Sequence, residues 1–304
     1  MKKSILLLSA VLSISLLAGC SGTGSVKKDS GKLSVTASFY PLFDFAVKIG
    51  GDKADVTNLT PSGVEPHDWE PSSNDMITLE NADILVYNGS GMESWTDSAL
   101  SALSNKDLIV VEASRGLADL TAASEDGSGT AADPHVWLDP ECAKAEMKAI
   151  LDAYIKADPE NESYYQANYD KYAAEFDQLD KEFSDALSGL TQKNIVVAHE
   201  AFGYLCRAYG LTQMPIEGLA ADSEPSSSRM SEIIDFVREN NVKVIFFEEL
   251  VSPKVAEAIA KETGAGTAVL NPLEGITADQ QKTGEDYFSI MRENLATLTA
   301  SLAE

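Results

Sequence analysis

The sequence predicts an α/β protein of two lobes, each a mostly parallel β-sheet flanked by helices, joined by one long linker helix. Three observations predict it. Short apolar runs alternate with helical patterns from Leu33 to about residue 160, and again from about residue 191 to the end. That order builds βαβ units and a parallel sheet. Between the two blocks lies a single long amphipathic stretch, Glu162 to Leu187. About 285 of the 304 residues remain once an export segment is removed, enough chain for two separate cores.

The chain opens with Lys2 and Lys3, an apolar run from Ile5 to Leu17, and then Leu17-Ala18-Gly19-Cys20. A basic start, a short apolar run and a small-residue end mark residues 1–19 as a signal peptide that is removed. The run is shorter than the roughly 20 residues that span a bilayer. LAGC resembles the lipobox of bacterial lipoproteins, and the resemblance implies lipid modification of Cys20 as the mature N-terminus, with membrane anchoring outside the cytoplasm. A plain secretory signal and an uncleaved anchor are the alternatives. Residues 20–32, rich in Ser, Gly and Lys, read as a flexible tether.

The first lobe is expected over 33–160. LSVTASF, DVTNLT, ILVYNG and LIVVE read as strands, with PLFDFAVKIGG and SNDMITLENA among the intervening helices. Ser72 and Asp75 form a capping pattern ahead of Met76, Ile77 and Leu79, so a helix starts five residues after His67. His67 is thereby placed on a loop at a strand's carboxyl end, the edge where open α/β sheets bind ligands. Gly116 to Asp133 is polar, rich in small residues and without periodicity, and reads as a mobile loop. A helix from about Glu141 to Lys156 ends at Asp158-Pro159.

The linker helix is expected within 161–190. Tyr165, Tyr169, Tyr172, Phe176, Leu179 and Phe183 recur there at intervals of three and four, one buried helical face. The 26 residues would run roughly 39 Å, enough to pass from one lobe to the other. A single helical link predicts little hinge motion. The second lobe, 191–304, alternates strands NIVVAH, LTQMPIEGL, VKVIFFEE and GTAVLN with helices, the last being GEDYFSIMRENLATLTASLA.

Formal net charge is −25, and removal of residues 1–19, which takes two lysines and no acid, moves it to −27. Such a surface repels phosphate, which excludes nucleic acid and electrostatic docking on anionic lipid, and attracts cations. With Cys20 committed to lipid, Cys142 and Cys206 remain. They are not a CxxC pair, and both read as buried thiols on helices.

The chain holds three histidines: His67 in GVEPHDWEPS, His135 in DPHVWLDP and His199 in VVAHEAFGYL. Separations of 68 and 64 residues rule out a zinc finger or an HExxH helix. A fold that gathered them would give a borderline-soft ion such as Zn²⁺ three imidazoles, and a tetrahedral preference asks for a fourth ligand or a water. Glu274, in NPLEGIT after the strand GTAVLN, is the candidate. Ligand imidazoles usually donate their other N–H to a carboxylate or carbonyl. Glu65, Asp133, Asp139, Glu200, Glu248 and Glu249 could serve, with Glu248 preferred. Unperturbed histidines titrate near 6.5, so binding should weaken as pH falls through roughly 6.

GVEPHDWEPSSNDMITLENADILVYNGSGME, DPHVWLDP, HEAFGYL and NPLEGIT stand in the order and approximate spacing of the zinc branch of the cluster A-I solute-binding lipoproteins of bacterial metal ABC importers, which the chain resembles from about Leu33 to its end. The resemblance implies a non-enzymatic monomer that captures Zn²⁺ and delivers it to a membrane permease. It also implies a carboxylate ligand at Glu274. Several relatives carry aspartate where this chain has Asn271, an uncharged and poor zinc ligand. Manganese relatives carry glutamate at the position of His199, so His199 favours zinc. The equivalent of the 116–133 loop is rich in histidine in many zinc-branch relatives; here it offers only Asp119, Glu125, Asp126 and Asp133. Alternatives are transport of manganese or another divalent metal, a secreted zinc hydrolase with Glu274 as base, and an adhesin.

Overall fold

The structure, a computed structural model, describes residues 31–123, 129–220 and 225–303. The signal segment, Cys20 and the tether up to Ser30 lie outside the described residues. Four strands, β1 (Leu33–Ala37), β2 (Ala54–Asn58), β3 (Ile84–Tyr87) and β4 (Ile109–Glu112), form a parallel sheet in the order β2-β1-β3-β4. Helices α1 (Tyr40–Gly50), α2 (Ser73–Glu80) and α3 (Thr96–Ala102) connect them. Side chains alternate between faces, as a period of two demands. Val35, Ala37, Ile84 and Val86 point into the largest core, whereas Leu85 joins a smaller one with Leu59, Leu79 and Trp95.

After α4 (Pro140–Ala157) and α5 (Glu162–Ser188), strands β7 (Asn194–Val197), β8 (Thr212–Pro215), β9 (Val244–Phe247) and β10 (Gly266–Val269) form a second parallel sheet, ordered β10-β9-β7-β8. Taken in chain order within each lobe, the two sheets have the same topology, although no repeat is visible in sequence. In both, the strand order reverses beside the lobe's first strand, at β1/β3 and at β7/β9, which opens a crevice at the carboxyl ends. Helices α6 (Gly203–Tyr209), α7 (Ser227–Glu239), α8 (Lys254–Thr263), α9 (Ala278–Thr283) and α10 (Tyr287–Leu302) complete the chain.

Helix boundaries follow local chemistry. Ser72 and Asp75 form the reciprocal capping box at the start of α2. Asp139 caps α4 by accepting from the Glu141 N–H, with Pro140 in the first turn. Along α5, Tyr165, Phe176, Leu179, Phe183 and Leu187 are buried, and Tyr169 and Tyr172 pack at the edge of the same core. Each such side chain contributes roughly 1.5–3 kcal/mol on burial. The helix packs on α1, α4, α6 and α10. One continuous core therefore runs from Val35 through Phe176 to Ile195 and Phe246. Lys48 Nζ ties α1 to the start of α10, 2.7 Å from Asp44 and 2.9 Å from Asp286.

Three expectations need correction. The 116–133 segment contains a short antiparallel hairpin, β5 (Thr121–Ala123) with β6 (Thr130–Ala132). Strands of Thr and Ala alone carry no apolar alternation to read. Residues 124–128 lie outside the described set. The strand seen in LTQMPIEGL stops at Pro215. Cys206 is buried, but Cys142 is only half-buried; both are free thiols. No helix among the described residues is long and apolar enough to cross a membrane.

Candidate metal centre

The folded chain brings His67, His135, His199 and Glu274 into one cluster. His67 comes from the loop between β2 and α2. His135 lies between β6 and α4, capping a single helical turn, Val136–Leu138. His199 stands two residues beyond β7, and Glu274 five beyond β10, so both descend from carboxyl edges of the second sheet.

His135 Nε2 lies 3.3 Å from His67 Nε2 and 3.3 Å from His199 Nε2. Glu274 Oε1 is 3.0 Å from His135 Nε2, 3.1 Å from His199 Nε2 and 3.4 Å from His67 Nε2. A tetrahedron whose corners stand about 2.0–2.1 Å from a central zinc has edges of about 3.3–3.4 Å. Five of the six edges are therefore close to those of a zinc tetrahedron, and all four ligand atoms lie within 4.8 Å of one another. The His135, His199 and Glu274 side chains are 0 %, 0 % and 1 % exposed, while His67 is 10 % exposed and is the face nearest solvent.

Two imidazoles are oriented by carboxylates. His135 Nδ1 donates to Asp133 Oδ1 at 2.8 Å, and His199 Nδ1 donates to Glu248 Oε1 at 2.6 Å. Each bond fixes the N–H on Nδ1 and turns the Nε2 lone pair toward the cluster. Asp133 is held in turn by the His135 backbone N–H at 3.0 Å. A Cβ on Gly203 would come within 2.6 Å of Asp133 Oδ2, so glycine is needed for that approach. Of the other acids weighed from sequence, Glu65 accepts the His67 backbone N–H, Asp139 caps α4, Glu249 accepts from Asn271 and Gln280, and Glu200 donates its backbone N–H to Gly218.

The electrostatics follow from burial and pairing. Burial alone would lower the His199 pKa, but the Glu248 and Glu274 charges and hydrogen bonds push it well above the ordinary histidine value. His135 is raised in the same sense against its burial, through Asp133 and Glu274. Burial would raise Glu274, yet the His199 charge and hydrogen bonds from the three imidazoles hold it well below the carboxylate range. Glu65 is pushed up to about 9, first by burial and then by the Glu274 charge. A small cleft beside the cluster is lined by Glu65, Glu248, Glu249 and Glu274, with Leu250 and Pro272 among its other residues.

Asn271 is not part of the cluster. Its amide Nδ2 donates to Glu249 Oε2 at 2.6 Å and its Oδ1 accepts the Leu273 N–H at 2.7 Å. Trp137, unremarked in sequence, packs its ring 5.2 Å from that of His135 and donates from Nε1 to the Pro272 carbonyl at 2.7 Å. It bolts one ligand segment to the other.

The family described as zinc-uptake complex component A, periplasmic (ZnuA), matches residues 35–301. The chain belongs to that family. It is 41 % identical over 300 residues to the high-affinity zinc uptake system protein ZnuA of Bacillus subtilis, covering 94 % of both chains. To the zinc-binding protein AdcA of Streptococcus pyogenes it is 37 % identical over 98 % of its own length, and it spans 61 % of that longer protein. Among solved structures, the Zn(II)-bound ZnuA-like domain of Streptococcus pneumoniae AdcA superposes with a TM-score of 0.77 at 36 % identity, covering 90 % of this chain and 100 % of that one. The laminin-binding protein Lmb of Streptococcus agalactiae, described as an adhesin with metal-transporting activity, gives 0.79 at 35 %, covering 89 % and 99 %.

Proposed function

We propose that this ZnuA-family chain captures Zn²⁺ outside the cytoplasm through His67, His135, His199 and Glu274 and delivers it to the permease of an ABC importer. The observation that carries the reading is the convergence of three Nε2 atoms and Glu274 Oε1, with five of the six separations at 3.0 to 3.4 Å, close to the edges of a zinc tetrahedron. Three imidazoles favour zinc over manganese, which takes carboxylate and water oxygens. The arrangement argues against a hydrolase: Glu274 Oε1 occupies the fourth corner, where a catalytic zinc keeps its water. The chain is a binding component of a transporter and not an enzyme. Cys20 is read as the lipidated residue that anchors it, with 33–160 and 191–304 as the lobes and 161–190 as their link.

Zinc should stabilise the fold, because the four side chains converge only in the native state. At a free concentration of 100 times Kd the gain is about 2.7 kcal/mol. Thermal unfolding of metal-free protein titrated with Zn²⁺ and Mn²⁺ tests this. A melting temperature unmoved by zinc, or moved more by manganese, would count against the reading.

A further inference from the structure

Among the described residues the Glu274 carboxylate has no hydrogen-bond partner outside the histidine cluster: Oε1 faces the three imidazoles, and Oε2 is buried with none. No other described residue grips its carboxylate, so the position of that group is set by the backbone that carries it. That backbone is unusual. Leu273, immediately before it, has φ +60°, the left-handed region that a bulky L residue seldom enters and that persists only where the surroundings impose it.

The surroundings that impose it converge on the segment from Asn271 to Leu273. Asn294, on α10, grips the Asn271 backbone at both ends of its amide: Oδ1 accepts the Asn271 N–H at 2.8 Å, and Nδ2 donates to the Asn271 carbonyl at 2.7 Å. The Asn271 side chain in turn accepts the Leu273 N–H at 2.7 Å and donates to Glu249, which also receives Gln280. Trp137 holds the Pro272 carbonyl. Asn294 is 3 % exposed and is the polar member of the buried stripe Tyr287, Met291, Asn294, Leu298. A polar side chain on a core-facing stripe has to be matched by specific partners. Here both partners belong to the backbone of the Glu274 segment.

We propose that Asn294 is a positioning residue for the metal site, acting through Asn271 and the left-handed Leu273 to fix Glu274 at the fourth corner. The two-point grip needs a donor and an acceptor at equal reach. Aspartate supplies only acceptors when ionised, glutamine is one methylene too long, and alanine supplies neither. The proposal rests on the assignment of Glu274 as a ligand.

The test is a double-mutant cycle on the full mature chain with Glu274→Ala, Asn294→Ala and the double variant, reading zinc affinity by chelator competition and the absorption spectrum of the Co²⁺-loaded protein. Asn294→Ala should lose about tenfold in zinc affinity, as partners that orient ligands typically do, and its cobalt spectrum should move toward that of Glu274→Ala. In the Glu274→Ala background the same change should cost less than about twofold, since there is no carboxylate left to position. Asn294→Asp, which keeps the volume and the acceptor, should be weakened in the same sense and serves if the alanine variant does not fold. A lowered melting temperature with wild-type affinity and cobalt spectrum would reduce Asn294 to packing and overturn the proposal. So would an equal loss in both backgrounds. Wild-type affinity in Glu274→Ala would instead overturn the ligand assignment, and the proposal with it.

Discussion

His199 Nδ1 and Glu248 Oε1 are joined at 2.6 Å by a hydrogen bond between the residues that follow two neighbouring strands, β7 and β9. The pair sits at the point where the strand order of the second sheet reverses, so the topology itself delivers a proposed ligand and the carboxylate that orients it. Glu248→Ala should weaken zinc binding about 10- to 100-fold, with Glu248→Gln intermediate because its amide oxygen still accepts the Nδ1 proton. Chelator competition measures both. Unchanged affinity in Glu248→Ala would mean that packing alone holds the imidazole.

Protons compete with zinc at a higher pH than unperturbed histidines suggest. The pKa values of His135 and His199 are raised in the metal-free fold. Their protonation therefore stabilises that fold fully below the ordinary value of about 6.5, and the contribution is lost as pH rises through the raised values. Zinc must displace those protons. Apparent affinity should already decline while pH is still above about 6.5, higher than the window near 6 expected from sequence. Glu274, held low, stays ionised across that range, and the stability it contributes is lost only as pH falls below the ordinary carboxylate value and through its own depressed one. Affinity that holds level until pH falls below about 6.5 would contradict the raised values.

Glu146, on the core face of α4, is fully buried, and neither carboxylate oxygen has a hydrogen-bond partner among the described residues. Burial, then the Glu93 charge, raises its pKa well above the ordinary value. The folded state therefore holds a proton that the unfolded chain releases above about pH 4.3, and stability falls as pH rises from there through the folded value. Glu146→Gln should raise the melting temperature at neutral pH and leave it nearly unchanged in mild acid. A difference independent of pH would show that the residue is not protonated when folded.

Much of this was legible in the sequence because the signals were strong and local. Runs such as ILVY and VIFF, separated by capped helices, specify parallel strands, and the aromatic stripe of α5 specifies one buried face. The histidines stand out as three in the whole chain, each in the connection that follows a strand. What could not be read depends on geometry between distant segments. Asp133 lies two residues from His135, yet nothing local separates it from Glu65, two residues from His67, which pairs with backbone instead. The grip of Asn294 on Asn271 spans 23 residues, and a lone asparagine in an apolar stripe announces no partner. The strands of the hairpin β5–β6 carry only Thr and Ala, which leaves no apolar pattern to mark them.

X-ray absorption at the zinc edge, on purified protein loaded with one equivalent of Zn²⁺, tests the central claim most directly. The structure predicts four light-atom neighbours at about 2.0–2.1 Å, with the multiple-scattering signature of three imidazoles, one of which disappears in each of His67→Ala, His135→Ala and His199→Ala. An oxygen-only shell, a sulfur neighbour at about 2.3 Å, or a zinc environment unaffected by those substitutions would contradict it.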